Sequence, residues 1–284
     1  MTPTQSIRLG QVQEMLLIPL YARALDALGK RPILNDRKAV EMVQSIDWDF
    51  RTFGQKRRVV VGTLRTAMFD EWVKDFLRRH PEGTVVEIGA GLNTRFERLD
   101  NGTLHWFDLD LPDVVELRRK FFTDSGRRVT LAGSILDSGW MAAVRQSPGP
   151  YCFVAEGVFF YLTGQEVRAA LAQIAGNFPG ASIAFDTASL KGITHENKEH
   201  ARRKIAARFA WGCDDPKEIE SWNIGLRLVE SRSIMDPPDS LRSRLSLPTR
   251  AAFCILAKLI PSLAKAYRLN LFAAPSEPQA PAGP

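Results

Sequence analysis

Two neighbouring segments carry the residues with the clearest chemical potential. The first is a β-branched run over residues 84–88 that includes Glu87 and ends in Gly89-Ala90-Gly91. Glycines at the end of a strand allow a sharp turn and a close approach of the backbone to a ligand. The second is a run over residues 104–111 with acids at positions 108 and 110. A strand, a glycine turn and a second strand with an acid at its tip are parts of a nucleoside-binding α/β site.

The glycine turn favours a cationic nucleoside over a dinucleotide. The dinucleotide fingerprint has a third glycine three residues after the second, and Thr94 stands at that position. Glu87 would repel phosphates, but its carboxylate can accept hydrogen bonds from an ammonium group. S-adenosyl-L-methionine carries an ammonium, a sulfonium and no phosphate. We therefore expect this molecule as the cofactor, with S-adenosyl-L-homocysteine as its product.

Asp108 and Asp110 are alternative ligands for the ribose of that cofactor. A carboxylate can accept hydrogen bonds from both ribose hydroxyls. Strand alternation places both side chains on the same face, so their spacing leaves the choice open. One of them could instead cap the helix predicted to begin at Pro112, because Asp favours N-cap positions, and Asp110 is the closer one.

The composition is typical of a soluble globular chain and sets limits on partners. The 284 residues are 45% hydrophobic and 25% charged, enough for one large core. The net charge of +6 is modest and the basic residues look scattered, so an acidic small substrate is expected and nucleic acid is not. Three distant cysteines predict a reducing compartment and no metal site. Without a signal pattern or an apolar run of membrane length, we expect a cytoplasmic protein with no membrane partner.

The order of predicted elements indicates an α/β fold with additions at both ends. Helical periodicity predicts a helical extension over residues 1–82 and a core over residues 83–272. Strand patterns alternate with helical ones in the core, which is typical of a parallel sheet with helices on both faces. The predicted strands cover residues 84–88, 104–108, 128–132, 151–156, 181–186, 226–234 and 267–272. The last two predict an antiparallel edge.

Two further segments depart from this alternation. Residues 188–215 are polar, basic and helical in character, and we expect them to form a lid over the carboxyl edge of the sheet. Residues 273–284 contain four prolines and few residues to bury, so a disordered tail is expected there.

Longer motifs extend the glycine turn in both directions along the chain. They are Arg65-Thr66 with Asp70, residues 85–95, residues 107–112, residues 133–137 with Trp140, residues 155–158 with Tyr161-Leu162, and Phe185-Asp186. Together they resemble the leucine carboxyl methyltransferase family, and most of all its branch of polyketide-type carboxyl O-methyltransferases. The resemblance implies a Rossmann-like class I methyltransferase sheet of seven mostly parallel strands.

The resemblance also implies roles for residues at matching positions. Arg65 would bind the carboxylate of the cofactor with help from Arg23, and Glu156 would face its ammonium group. Arg65 and Glu156 are expected on opposite sides of the sheet edge. Asp110 matches the ribose-binding acid. The full set of cofactor candidates is Arg23, Arg65, Glu87, Gly89, Ala90, Gly91, Asp108, Asp110, Leu111, Ser134, Ile135, Glu156 and Gly157, in which Ser134 and Ile135 would contact adenine.

The acceptor side has weaker signals. A carboxylate acceptor is already ionised at neutral pH and needs no base, whereas a phenol with a pKa of about 10 would need one. His195, His200 and Tyr161 are candidates for such a base, although both histidines could equally be solvated residues of a polar helix. Candidates for the acceptor pocket are Met15, Tyr21, Phe160, Tyr161, Trp211 and Trp222, some of which must instead belong to the core.

These features predict an S-adenosyl-L-methionine-dependent O-methyltransferase that acts by in-line methyl transfer. The expected acceptor is a carboxylate or hydroxyl of a small, anionic, aromatic or polyketide-like secondary metabolite. A protein C-terminal carboxyl methyltransferase remains an alternative, because it would share the cofactor site and differ in the pocket. A non-catalytic cofactor-binding protein is the other alternative.

Overall fold

A seven-stranded β-sheet forms the centre of the computed structural model, which describes residues 11–50, 56–202 and 205–276. The strands are β1 Thr84–Ile88, β2 His105–Asp110, β3 Arg128–Ala132, β4 Tyr151–Ala155, β5 Ser182–Ala188, β6 Arg227–Ser233 and β7 Tyr267–Ala273. Their order is β3-β2-β1-β4-β5-β7-β6; β1 to β5 are parallel, and β7 runs antiparallel to both of its neighbours. This confirms the predicted mostly parallel sheet with an antiparallel edge.

Helices cover the sheet and precede it. They are α1 Gln11–Ala27, α2 Arg37–Ser45, α3 Lys56–Arg79, α4 Arg95–Leu99, α5 Pro112–Arg118, α6 Gly139–Val144, α7 Gly164–Asn177, α8 Leu190–Arg202, α9 Asp239–Arg242, α10 Leu247–Leu259 and α11 Pro261–Lys265. Helices α10 and α11 are separated at Ile260, because Pro261 has no N–H to donate and disfavours helical geometry in the preceding residue. Of the predicted extension over residues 1–82, residues 1–10 and 51–55 lie outside the described residues.

Strand alternation divides the apolar side chains of the sheet between two layers. Val86 and Phe153 pack on the face covered by α6 and α7, where the buried residues include Trp140 and Leu171. The opposite face packs against α3, with Val85, Val154 and Ala184 beside Leu64 and Phe69. A third cluster joins α1 and α2 around Leu17, Leu20 and Met42 and includes Leu92, which follows the glycine turn. The N-terminal helices therefore pack directly on that turn.

The predicted lid and tail differ in part from expectation. Helix α8 covers only residues 190–202 of the predicted lid, and residues 205–215 have no regular structure. Ala210 N–H donates to Phe160 O at 2.7 Å, so this segment returns along the chain that follows β4. The predicted tail begins later than expected: Ala273 lies in β7 and Ala274 N–H donates to Ala181 O at 2.8 Å, because β pairing continues to that point. Residues 277–284 lie outside the described residues.

Two properties of the described residues bear on possible partners. No helix in this part of the chain combines the length and apolar character needed to cross a membrane. Within the same residues, His, Cys, Asp and Glu side chains form no group of three or more arranged to bind a metal ion.

Candidate active site

The strand register places a row of polar positions at the carboxyl edge of the sheet. Ile88 pairs with Leu109 and Ala155, and Ala155 pairs with Phe185. The residues that follow this last shared row are Gly89, Asp110, Glu156 and Asp186. Strand order reverses between β1 and β4, and ligands of open α/β sheets bind outside the carboxyl ends of strands at such a point.

The glycine turn after β1 has a backbone that requires glycine. Gly89 and Gly91 have φ angles of +63° and +48°, in the left-handed region that other residues rarely adopt. A Cβ atom at Gly89 would collide with Val158, and one at Gly91 would lie 2.9 Å from Leu16 Cδ2. The turn, with Ala90 buried between its two glycines, is therefore enclosed between the chain after β4 and helix α1.

Two arginines bind the carbonyl oxygens of this turn from behind. Arg118 Nη1 donates to Gly91 O at 2.8 Å, and Arg23 Nη2 donates to Leu92 O at 2.7 Å. Arg23 also donates to Asp36 Oδ2 at 2.9 Å and is buried. This corrects the expectation that Arg23 assists the cofactor carboxylate, because its guanidinium is committed to the protein. Arg118 was not predicted, since its target is a set of backbone carbonyls that no residue pattern reveals.

The two acids of β2 have different environments. Asp110 lies at the edge, where its Oδ2 accepts from Gly91 N at 2.6 Å and its Oδ1 from Leu111 N at 2.7 Å. Burial raises the pKa of Asp110 above its ordinary value, although these two N–H groups oppose the shift. Neither acid caps α5, whose N-cap is Leu111 without a side-chain hydrogen bond.

Asp108 is enclosed in the protein interior. It accepts from Trp106 Nε1 at 2.9 Å and from Arg128 Nε at 2.8 Å, and Arg118 Nη2 lies 2.9 Å from its Oδ2. Burial acts to raise its pKa, but the two arginines outweigh it and the pKa is lowered. The structure therefore gives the two candidates different surroundings, and the commitment of Asp108 to Trp106, Arg118 and Arg128 favours Asp110 as the ribose ligand. Asp108 points to the same face as Asp110 but lies two residues further from the edge, where Arg118 and Arg128 enclose it.

Glu87 and Glu156 share one buried arginine. Arg95 Nη1 donates to Glu87 Oε1, and Arg95 Nη2 donates to Glu156 Oε2 at 2.5 Å, while its Nε donates to Asp70 Oδ1 at 2.8 Å. Arg95 is fully buried. Its three carboxylates come from α3, β1 and the end of β4, so no local pattern could have predicted the cluster.

The second oxygen of Glu87 differs from the first. Asn93 Nδ2 donates to Oε1 at 2.8 Å, whereas the buried Oε2 has no hydrogen-bond partner among the described residues. Burial raises the pKa of Glu87 to about 7, against the opposing effect of Arg95. A buried acceptor without a donor is unusual in a protein.

Arg65 and Glu156 form a direct ion pair, which corrects the expectation that they lie on opposite sides of the edge. Arg65 Nε donates to Glu156 Oε1 at 2.8 Å, and Thr66 Oγ1 donates to the same oxygen at 2.8 Å. Both partners of Glu156 Oε1 belong to α3, because this helix passes directly beside the end of β4. Burial would raise the pKa of Glu156, but Arg65 and Arg95 outweigh it and lower the pKa to about 2.

Asp186 and Tyr267 complete this cluster and were not among the predicted site residues. Asp186 is fully buried; its Oδ1 accepts from Gly157 N at 2.8 Å and its Oδ2 from the Tyr267 hydroxyl. Arg65 Nη1 donates to the Tyr267 hydroxyl at 3.2 Å. Asp186 carries the same signal as Glu156, an acid near the end of a buried strand. Tyr267 lies 81 residues further on and meets Asp186 only because β7 pairs with β5.

The loop after β3 lies beside Asp110. Gly133 N–H donates to Asp110 O at 2.9 Å, and Ser134 Oγ accepts from Leu136 N at 3.1 Å. Ile135 is buried in the core, whereas Leu111 at the tip of β2 is 47% exposed. The edge therefore presents an exposed apolar side chain next to Asp110.

The lid histidines have different surroundings. His195 is exposed on α8, whereas His200 is buried with its Nδ1 2.9 Å from Ala207 O. The His200 ring packs 5.0 Å from that of Phe209, measured between centroids. Phe160 and Tyr161 pack on the same Phe209 ring at 5.5 and 5.1 Å. The structure thus joins His200, Phe160 and Tyr161 around the ring of Phe209.

The remaining acceptor candidates have packing roles. Trp211 and Trp222 lie 6.2 Å apart between ring centroids and belong to or border the α7 core layer. Tyr21 stacks on Phe50 at 5.2 Å in the cluster of α1 and α2. Met15 is partly exposed on α1, next to the Leu16 that covers Gly91.

Comparison with known proteins agrees with this arrangement. The sequence profile of the leucine carboxyl methyltransferase family matches residues 17–175, more than half of the chain. The chain is 34% identical, over 82% of its length and 87% of the relative, to the tetracenomycin polyketide synthesis O-methyltransferase TcmP of Streptomyces glaucescens. It is 28% identical, over 81% of its length and 84% of the relative, to the S-adenosyl-L-methionine-dependent methyltransferase dpfgK of Gibberella zeae.

Among solved structures, a DUF574 family protein of Streptomyces avermitilis superposes with a TM-score of 0.58 at 14% identity, covering 94% of this chain and all of that one. At this identity the likeness supports the fold alone. The family profile and the relatives confirm the predicted resemblance, cofactor and enzyme class. The chain belongs to the leucine carboxyl methyltransferase family and is an S-adenosyl-L-methionine-dependent methyltransferase.

Proposed function

We propose that this enzyme methylates an oxygen, and specifically a carboxylate, of a small anionic aromatic or polyketide-like acceptor. The observation that carries the proposal is the relative from the tetracenomycin pathway, a polyketide O-methyltransferase that matches 82% of this chain. The polyketide-type acceptor is transferred to this chain from that likeness. The contacts at the carboxyl edge of the sheet support the proposed binding of the cofactor.

Asp110 is the proposed ligand of the ribose hydroxyls. Each of its oxygens accepts one backbone N–H, which leaves further acceptor capacity on both. The exposed side chain of Leu111 and the loop of Ser134 and Ile135 would flank the adenine, since base rings bind well against apolar surfaces.

The methionine part of the cofactor has an ammonium and a carboxylate, and the site offers partners for both. The unpaired Glu87 Oε2 is a buried acceptor that an ammonium could satisfy. Arg65, with 22% of its side chain exposed, is the accessible cation of the edge cluster. In the proposed complex Arg65 binds the cofactor carboxylate and Glu156 the ammonium, so two charge-assisted pairs replace the direct Arg65–Glu156 contact. The charges balance before and after this exchange.

S-adenosyl-L-methionine supplies an electrophilic methyl group when bound, and the protein's task is alignment and exclusion of water. A carboxylate acceptor is ionised at neutral pH and needs no general base. Of the two candidate bases for a hydroxyl acceptor, His195 is exposed, and His200 is buried with its Nδ1 bound to Ala207 O, which leaves only its Nε2 for proton transfer. Phe160, Tyr161 and Phe209 are the proposed aromatic wall of the acceptor site.

Localisation is part of the proposal. Cys152, Cys213 and Cys254 are free thiols, two of them buried. Free cysteines fit a reducing compartment, so we place the enzyme in the cytoplasm.

The test is a methyl-transfer assay with labelled cofactor against three acceptor panels: aromatic carboxylic acids, phenols, and peptides with a free C-terminal carboxylate. Products from aromatic acids that lose the label in mild alkali, as methyl esters do, would support the proposal. Transfer to phenols with alkali-stable product, or to peptides alone, would contradict the proposed acceptor. Calorimetry with S-adenosyl-L-homocysteine gives the matched test of the site, and Asp110→Asn should weaken that binding.

A further inference from the structure

Helices α10 and α11 are apolar and yet bury nothing. None of their described residues falls in the buried class. Leu247 and Leu259 are 74% and 75% exposed, and Ile255 is 54% exposed. Isolated exposed apolar residues are common, but a contiguous exposed set indicates an interaction surface.

The exposed apolar residues of α10 lie in one row. Leu247, Ala251, Ile255 and Leu259 recur at intervals of four, which places them along one side of a helix. Ile260 and Leu263, also exposed, continue the row into α11. The inward side instead consists of partly buried residues such as Phe253, which packs on the α3 layer. We call the exposed set, Leu247, Ala251, Ile255, Leu259, Ile260 and Leu263, the apolar ridge.

Basic residues accompany the apolar ridge. Arg250 and Lys258 lie one position before ridge residues and are exposed, as is Lys265 on α11. Residues 240–276 contain six Lys and Arg and no Asp or Glu, while the other 247 residues carry 32 of each sign. The entire net charge of +6 therefore resides in the segment that carries the ridge. The segment is distinguished by its lack of acidic residues, because its basic residues are about as frequent as in the rest of the chain.

We infer that the apolar ridge docks on an anionic lipid bilayer, with Arg250, Lys258 and Lys265 beside the headgroups. A helix with an aliphatic row and a basic flank is typical of segments that lie in the membrane interface. Each basic residue close to an anionic surface strengthens binding about fivefold. This inference is independent of the proposed acceptor. The expectation of no membrane partner rested on the length of apolar runs, and run length does not bear on surface binding.

Charge also argues against a second copy of the chain as the occupant. An isologous dimer through the ridge would bring the basic flanks of two copies together. Residues 240–276 offer no acidic side chain to compensate them. A protein partner would need a groove that matches the ridge, whereas a bilayer interface adapts to it.

The surface adjoins the candidate active site. Ala266, at the end of α11, accepts from Ser189 N at 2.9 Å, and Tyr267 follows it with its hydroxyl on Asp186. Leu190, the first residue of α8, is also 58% exposed. A docked enzyme would present this side of the sheet edge toward the bilayer, from which a lipophilic acceptor could enter.

The experiment is flotation of the full chain with vesicles of phosphatidylcholine alone and with vesicles of equal parts phosphatidylcholine and phosphatidylglycerol. We expect binding to the anionic vesicles that weakens with salt and at least roughly tenfold weaker binding of I255S/L259S. R250A/K258A should bind roughly 20-fold more weakly. The matched controls L28S and R119A/K120A, which alter exposed residues outside the ridge, should bind as the unaltered chain does.

Calorimetry with S-adenosyl-L-homocysteine verifies that each variant is folded and keeps its cofactor site. Absence of vesicle binding, equal binding to both vesicle types, or equal losses in the control variants would overturn the inference. So would sedimentation velocity that shows a dimer lost in I255S/L259S, because a second copy would then cover the ridge.

Discussion

Charged side chains on the two sides of β5 differ in how deeply they are buried. Between the glycine turn and α3, Arg95 and Asp108 are buried among groups of opposite charge. Beyond β5, ion pairs such as Arg202–Glu199 and Arg242–Asp236 involve exposed side chains, and apolar side chains are exposed as well. The family profile covers the first region and ends at residue 175. The buried ion pairs of Arg95 and Asp108 thus lie in the part of the chain that the family profile matches, whereas the exposed pairs of Arg202 and Arg242 lie beyond it.

Replacement of the buried Arg95 is the strongest test of this difference between the two regions. Arg95→Met should lower the free energy of unfolding by about 3–5 kcal/mol, because it leaves three carboxylates without their shared cation. Urea denaturation measures the change. The matched control is Arg78→Met, which removes an exposed ion pair of α3 and should change stability by no more than about 0.5 kcal/mol. Similar losses in both variants would mean that the buried cluster is not special.

The two glutamates on Arg95 should give opposite pH dependences. Burial raises the pKa of Glu87 to about 7, so the folded chain retains a proton that the unfolded chain releases near 4.5. The contribution of Glu87 to stability therefore falls as pH rises from about 4.5 to 7. Arg65 and Arg95 lower the pKa of Glu156 to about 2, so its contribution is complete above 4.5 and is lost as pH falls toward 2.

The measurement compares the unfolding of the unaltered chain, Glu87→Gln and Glu156→Gln across this pH range. The advantage of Glu87→Gln over the unaltered chain should grow by on the order of 3 kcal/mol between pH 4.5 and 7. The penalty of Glu156→Gln should shrink by a similar amount between pH 4.5 and 2. Slopes of the same sign in the two variants would contradict the assignment.

Substitution of the two acids of β2 tests whether the acid at the sheet edge serves mainly cofactor binding and the interior acid mainly stability. Asp110→Asn should weaken S-adenosyl-L-homocysteine binding roughly 10- to 100-fold, because it weakens one or two hydrogen bonds to a charged acceptor. It should lower stability by only about 1–2 kcal/mol, because the amide nitrogen cannot accept from one of the two N–H groups of Gly91 and Leu111. Asp108→Asn should instead destabilise the fold by about 3 kcal/mol, since Arg118 and Arg128 lose their counter-ion. Calorimetry and urea denaturation of both variants check the pair. If Asp108→Asn weakened the binding and Asp110→Asn did not, Asp108 would be the ribose ligand.

Features set by local sequence patterns could be predicted, whereas features set by contacts between distant elements could not. The strands and the presence of an acid at the tip of β2 could be predicted, because β-branched runs, glycine turns and acids at strand ends are local patterns. The Arg95 cluster could not, since its partners come from three elements and only the register brings them together. The predicted separation of Arg65 and Glu156 was wrong for a related reason: the path of α3 past β4 is a tertiary feature.

Sequence gave least guidance for aromatic residues near the acceptor side. Trp211 and Phe209 are two residues apart in the same irregular segment, yet Trp211 packs toward α7 and Phe209 toward His200. No periodicity distinguishes them, because residues 205–215 belong to neither a helix nor a strand. Packing decides which aromatic is core.

His200, in the helix that precedes this segment, should produce the smallest effect, and its substitution can sharpen the acceptor assignment. His200→Asn keeps a polar group that can donate to Ala207 O, so α8 should keep its packing against Phe209. With a carboxylate acceptor, kcat should change less than about threefold and its pH profile should stay flat between pH 6 and 8, because no base is needed. His195→Asn, on the exposed face of α8, is the matched control. A loss of roughly 100-fold in the His200 variant alone would instead identify a general base, and with it a hydroxyl acceptor.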